Sequence, residues 1–132
     1  MEIFVDTSAL IALIVANDRA HPSAAAQWVH LQHSGAVLIS TNYVLLEAAS
    51  LLQRRIGVPA VISLQSDYVP LLTVHWVDEP QHRAAMSALL VANRRDLSLV
   101  DCVSFEVMRD HGIRQAFTFD SDFTGAGFDV IP

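Results

Sequence analysis

The chain has 132 residues, 52% of them apolar and 17% charged, with a formal net charge of −6. These values predict one globular domain with its own core and exclude a disordered, collagen-like or linker-dominated chain. Cys102 is the only cysteine, which excludes a disulfide framework or a Cys-rich zinc site and reads as a reduced, cytoplasmic protein. Ile3–Ala16 is nearly all apolar, but Asp6 interrupts it and it falls short of the ~20 residues that cross a bilayer. It predicts a short core strand, Glu2–Val5, and a buried helix, Ala9–Ala16. Ser23–His33 reads as a helix with Ala24, Trp28 and Leu31 on one face. Val37–Ile39 reads as a strand, and Tyr43–Arg55 as an apolar helix closing at Gly57. Pro59 suits a first helical turn, so Pro59–Tyr68 is predicted as another helix. Leu72–Val77 reads as a strand. Gln81–Asn93 and Leu99–His111 read as helices, the second closed by Gly112. Gln115–Phe119 is a predicted strand, Asp120–Asp122 a turn and Phe128–Ile131 a last strand.

Strands thus alternate with helices, which predicts an α/β fold with a central parallel sheet covered on both faces. Such sheets bind ligands beyond the carboxyl ends of their strands. The first strand delivers Asp6 to that edge and the Gln115–Phe119 strand delivers Asp120, so these acids are predicted neighbours. Glu47 interrupts Val44-Leu45-Leu46 and Ala48-Ala49, and Asp101 interrupts Leu99-Val100 and Cys102-Val103. A carboxylate in apolar surroundings loses hydration unless a partner or a metal compensates. Each acid also has a plain structural reading. Asp6 suits a helix N-cap, Ser98-x-x-Asp101 spells a capping box, and Asp120 and Asp122 are ordinary turn formers. Glu47 has the weakest such reading, because its helix starts several residues earlier.

The charge balance argues against nucleic acid only if the acids are scattered, since fourteen acids face eight bases, all arginine. Clustered acids are different. Two bound divalent ions would bring the net charge to about −2. Arg54-Arg55 and Arg94-Arg95 then read either as holders of flanking phosphates or as solvated helix ends. Asp120-Ser121-Asp122-Phe123-Thr124 spells the D-x-D-x-T of a phosphatase, but no lysine exists to support that nucleophile or a receiver-type acid cluster. The six histidines form no ligand pattern; His30 and His33 alone are spaced to share a helix face. Cys102 beside Asp101 reads as a packing residue.

Phe4-Val5-Asp6-Thr7-Ser8-Ala9-Leu10 resembles the opening of PIN domains, particularly VapC-type toxins. The helix with Glu47, Leu97-Ser98-Leu99-Val100-Asp101, and Thr118-Phe119-Asp120-Ser121-Asp122-Phe123 match the family's other blocks in order and spacing. The resemblance implies a single PIN domain over residues 1–132, with a three-layer α/β/α fold. It also implies a metal-dependent endoribonuclease whose acids correspond to Asp6, Glu47, Asp101 and Asp120, with Asp122 an outer ligand. Ser8 and Thr118 match family hydroxyl positions that orient carboxylates or water. Oxygen donors of this kind suit Mg²⁺, with Mn²⁺ as its substitute. The implied partners are RNA, a cognate antitoxin and a second copy of the chain, with no membrane. Trp28, Leu45, Leu46 and Leu52 exceed what one small core needs and suit an antitoxin helix, whose Arg would enter the acidic pocket. A PIN nuclease of general RNA processing and a non-cutting PIN-like binding module are the remaining alternatives; the RNA itself is left open.

Overall fold

Ile3-Phe4-Val5 is almost completely buried, and this run makes β1 (Glu2–Val5) the middle of the sheet. The computed structural model describes residues 1–131. Its other strands are β2 (Val37–Thr41), β3 (Thr73–His75), β4 (Gln115–Phe117) and β5 (Asp129–Ile131). All pair in parallel, in the order β3-β2-β1-β4-β5. The helices are α1 (Thr7–Ile14), α2 (His21–Ser34), α3 (Asn42–Arg55), α4 (Val58–Ser63), α5 (Glu79–Ala92), α6 (Leu99–His111) and α7 (Asp122–Gly125). Together they complete the three-layer α/β/α arrangement, because both faces of a parallel sheet are apolar and need cover. Among the described residues, no helix is long and apolar enough to cross a membrane.

The strand order sets the position of the site. From β1 the chain builds outward through β2 and β3, then crosses to the other side of β1 for β4 and β5. The crevice of such a sheet opens where the order reverses, at the carboxyl ends of β1 and β4. Asp6 follows β1 there, and its N–H donates to the carbonyl of Phe117 at 3.1 Å. Thr118 to Asp120 leave β4 at the same place. Phe123, fully buried, packs its ring against Phe4 at 6.3 Å and Phe105 at 4.9 Å. That aromatic contact pins α7, and therefore Asp122, over the end of the sheet.

Several element boundaries differ from expectation, each for a local reason. The β4 strand stops at Phe117 rather than Phe119, because the next amides leave the ladder: Phe119 N–H donates to Ser8 Oγ and Asp120 N–H to Thr118 Oγ1. The β3 strand spans Thr73–His75 rather than Leu72–Val77, since Val77 N–H turns to Asn42 Oδ1 at 2.9 Å. The single helix expected over Pro59–Tyr68 divides into α4 and a π turn, Leu64–Tyr68, just before Pro70, which cannot continue a helix. Helix α5 starts at Glu79, earlier than expected, because Asp78 and Gln81 form a capping box. Asp122 opens α7 instead of closing a turn. Leu52 belongs to the core and not to the apolar surplus, whereas Leu46 is 68% exposed. Trp28 and Leu45 are half-buried.

Candidate metal centre

Asp6 is the most constrained acid of the molecule. It caps α1, is 3% exposed, and its Oδ2 accepts from Ser8 Oγ at 2.9 Å and Thr118 Oγ1 at 2.8 Å. Each hydroxyl gives its one proton to Asp6 and in turn accepts a backbone amide, from Phe119 at 2.9 Å and Asp120 at 3.0 Å. The carboxylate is thus locked through both strands of the crevice. Its other oxygen, Oδ1, is buried and has no hydrogen-bond partner among the described residues. Burial raises the Asp6 carboxyl above its ordinary range, and the bonds from Thr118 and Ser8 counteract that rise.

Asp101 enters from the first turn of α6, which Ser98 caps by accepting the Asp101 N–H at 3.0 Å. The capping reading and the site reading therefore coexist in one residue. Burial, then the charges of Asp6 and Asp120, push its carboxyl up to about 7. Asp120 and Asp122 are half-exposed, and Asp122 N–H donates to Asp120 Oδ1 at 2.9 Å. Asp101, Asp120 and Asp122 each offer an oxygen, and these oxygens lie within 4.8 Å of one another. Asp122, expected as an outer ligand, belongs to this group.

Glu47 departs from expectation. It is half-exposed, since the buried stripe of α3 consists of Val44, Ala48 and Leu52. It lies outside the 4.8 Å group, and its carboxylate makes no hydrogen bond or ion pair among the described residues. Arg94 departs in the opposite direction. It reaches the site itself, donating from Nη2 to Asp122 Oδ1 at 2.9 Å and to Asp96 Oδ2 at 3.2 Å. No local pattern announces this pair, whose members are 28 positions apart. The histidines are less scattered than the sequence suggests. The rings of His75 and His111 meet edge-on at 4.8 Å, and His82 bonds Tyr43 at 2.6 Å. His30 and His33 are exposed. Cys102 is buried, and burial with Asp101 alongside pushes its thiol up.

The donor set fits a hard divalent cation. It consists of carboxylate oxygens without sulfur or imidazole, the preference of Mg²⁺ and Mn²⁺. The unpartnered Asp6 Oδ1 is a desolvated acceptor that protein groups leave unsatisfied, a costly state that a cation relieves. Four crowded acids with one raised to about 7 describe a site short of positive charge.

A parallel α/β/α sheet with acids clustered at its switch point frames the site, and the PIN domain profile matches residues 3–129. The chain belongs to the PIN-domain family. Within it the chain is of the VapC type: it is 37% identical over 127 residues to the 23S rRNA-specific endonuclease VapC20 of Mycobacterium tuberculosis, covering 96% of this chain and 95% of the relative. The crystal structure of that Sarcin-Ricin loop cleaving toxin superposes with a TM-score of 0.83. FitAcB of Neisseria gonorrhoeae superposes with a TM-score of 0.69 at 15% identity, covering 100% of this chain and 97% of that one, and shares the fold.

Proposed function

We propose that this chain is a metal-dependent endoribonuclease, the toxin of a VapBC-type pair, cutting phosphodiester bonds of structured ribosomal RNA. The convergence of Asp101, Asp120 and Asp122 within 4.8 Å carries this reading. The identity to VapC20 along nearly the whole chain supports the sarcin–ricin loop of 23S rRNA as its substrate.

Asp101, Asp120, Asp122 and Asp6 Oδ1 would hold Mg²⁺ or Mn²⁺, with Glu47 from α3 completing the acidic set. When bound, such an ion lowers the pKa of water and neutralises charge on the phosphate. The chain's own part is positional. Ser8 and Thr118 fix Asp6 Oδ2, which leaves Oδ1 as the only oxygen of that carboxylate free to engage a ligand. Asp101, with its carboxyl at about 7, holds a proton that relieves repulsion from Asp6 and Asp120. Loading the site therefore releases a proton, which makes cation affinity rise with pH.

An unrestrained ribonuclease needs control. The apolar groove of Leu45, Leu46, Val69, Val74 and Trp76, with Leu46 and Trp76 largely exposed, suits an amphipathic antitoxin helix. An arginine from that partner would bridge the acidic corner bidentately. A homodimer is the expected state of the free toxin. Purified protein incubated with 23S rRNA fragments is the test. Cleavage with Mg²⁺ or Mn²⁺ that stops in EDTA is expected, and undiminished cutting in chelator overturns the metal mechanism.

A further inference from the structure

Beside the acidic corner lies a cleft of about 390 Å³, lined by Leu89, Leu90, Asn93, Arg94, Arg95 and Leu97. It forms where α5 ends at Asn93, in the left-handed conformation (φ 50), and the chain turns toward α6. Its lining has two halves, one of leucine and one of amide and guanidinium. Leu90 is 71% exposed, so the apolar half faces solvent without cover. Arg94 joins the cleft to the site. Its Nη2 reaches Asp122, while Nε and Nη2 fork onto Asp96 at 3.3 and 3.2 Å. A guanidinium carries five N–H donors, and those of Nη1 have no partner among the described residues.

We infer that this cleft is an RNA subsite, seating the nucleotide next to the scissile phosphate. The inference rests on the nuclease reading above and names where its substrate is gripped. Arg94 holds the flanking phosphate, for which the planar guanidinium is suited, and Arg95 adds a second positive charge. The leucines take the flat apolar face of the base, and the volume falls in the range of small-molecule sites. As Asp122 turns to a cation, Arg94 loses one of its two carboxylate partners and its donors become available to phosphate. An apolar protein helix would use the leucines but leave the Nη1 donors of Arg94 and the charge of Arg95 unanswered, which favours a phosphodiester.

The test measures anisotropy of a labelled RNA hairpin carrying the sarcin–ricin loop of 23S rRNA with Mg²⁺ across a salt series. The parent is Asp101→Asn, chosen to suppress cutting, and wild-type cleavage is measured in parallel. Arg94→Gln is expected to weaken binding by roughly 10-fold and to make the salt slope shallower by about 0.7, one phosphate contact on a single strand. Leu90→Ser is expected to weaken binding by about fivefold at unchanged slope, because it removes apolar contact and no charge. Val91→Ser, at an 86% exposed position outside the cleft, is expected to change nothing. If wild type cuts RNA while both cleft variants bind within about twofold of the parent, the subsite is wrong and the nuclease stands. If only Arg94→Gln weakens binding, the base seat is overturned. A Leu90→Ser effect on self-association in sedimentation, without one on RNA, reassigns the cleft to a protein interface. Wild type that neither binds nor cuts RNA with Mg²⁺ or Mn²⁺ overturns the nuclease reading and this one together.

Discussion

Two neighbouring parts of the carboxyl edge of the sheet are built on opposite principles. At the β1–β4 corner, Asp6, Thr118 and Asp101 are buried polar groups: Thr118 bonds Asp6 across the two strand ends, and Ser98 caps the turn that carries Asp101. At the α3–β3 rim, Leu46 and Trp76 are apolar groups left 68% and 73% exposed. Each arrangement costs stability by itself: carboxylates lose hydration at the corner, and apolar surface remains wet at the rim. The contrast matches the two roles proposed for these parts. A corner that must hold oxygens in one geometry needs locked side chains, whereas a rim that must accept a partner needs only surface.

Replacing an acid at the corner breaks the contrast most severely. Asp101→Asn is expected to lower RNA cleavage by at least ~100-fold, more than losing a supporting group around a metal costs. The same variant in EDTA at pH 8 should melt no lower than wild type, because a buried, mutually repelled carboxylate has been neutralised. A clear drop in melting temperature would show that Asp101 serves the helix cap more than the site.

Loosening the lock without touching a ligand has the next largest effect. Thr118→Val keeps the buried volume but removes one donor to Asp6 Oδ2. Mn²⁺ affinity by calorimetry should fall by roughly 10–100-fold. An unchanged affinity would mean that Asp6 is positioned by backbone alone.

The pH dependence follows from the same crowding. Asp101 has its carboxyl raised from 3.8 to about 7 in the fold. Between those values the folded chain binds a proton that the unfolded chain has lost. The resulting stability is complete below about 4 and disappears as pH rises through about 7. In EDTA the melting temperature should therefore fall by several degrees from pH 5 to pH 8, and less in Asp101→Asn. Mg²⁺ should raise it at pH 8 more than at pH 5, because it binds the folded, deprotonated site. Equal stabilisation by Mg²⁺ at both values would place its binding elsewhere.

The rim gives the smallest change in the protein itself. Trp76→Ser and Leu46→Ser remove exposed side chains, so stability should stay within ~0.5 kcal/mol and RNA cleavage within about twofold of wild type. Association with the product of a co-expressed antitoxin gene should weaken sharply. Rim variants that lose cleavage but still bind the antitoxin would reverse the roles assigned to the two regions.

Much of this was legible in the amino-acid order because it depends on local pattern. Alternating apolar strands and capped helices carry the α/β class, and the run ending at Val5 places Asp6 at a strand end whatever the remaining chain does. Asp101 could be singled out because its neighbours Leu99, Val100, Cys102 and Val103 are apolar. The same reasoning did not fix how deeply Glu47 lies: Val44 and Ala48 beside it are buried, whereas Leu46 is exposed and Glu47 itself is half-exposed. Leu46 and Leu52 differ by less than two turns of α3, yet one is 68% exposed and the other fully buried. Which side of α3 faced the core depended on packing that hydrophobic content alone does not specify.

By itself, then, the sequence determined the kinds of element, their order, and the acids that end up at one edge. Those depend on periodicity, capping and strand polarity within a few residues. Only the tertiary structure decided that Asp122 comes within 4.8 Å of Asp101 and Asp120, that Ser8 and Thr118 lock one oxygen of Asp6, and that Arg94 reaches the site. Each of these includes a link between residues far apart in the chain, and hydrogen bonds and ion pairs operate over a few ångströms. The fold alone sets those distances.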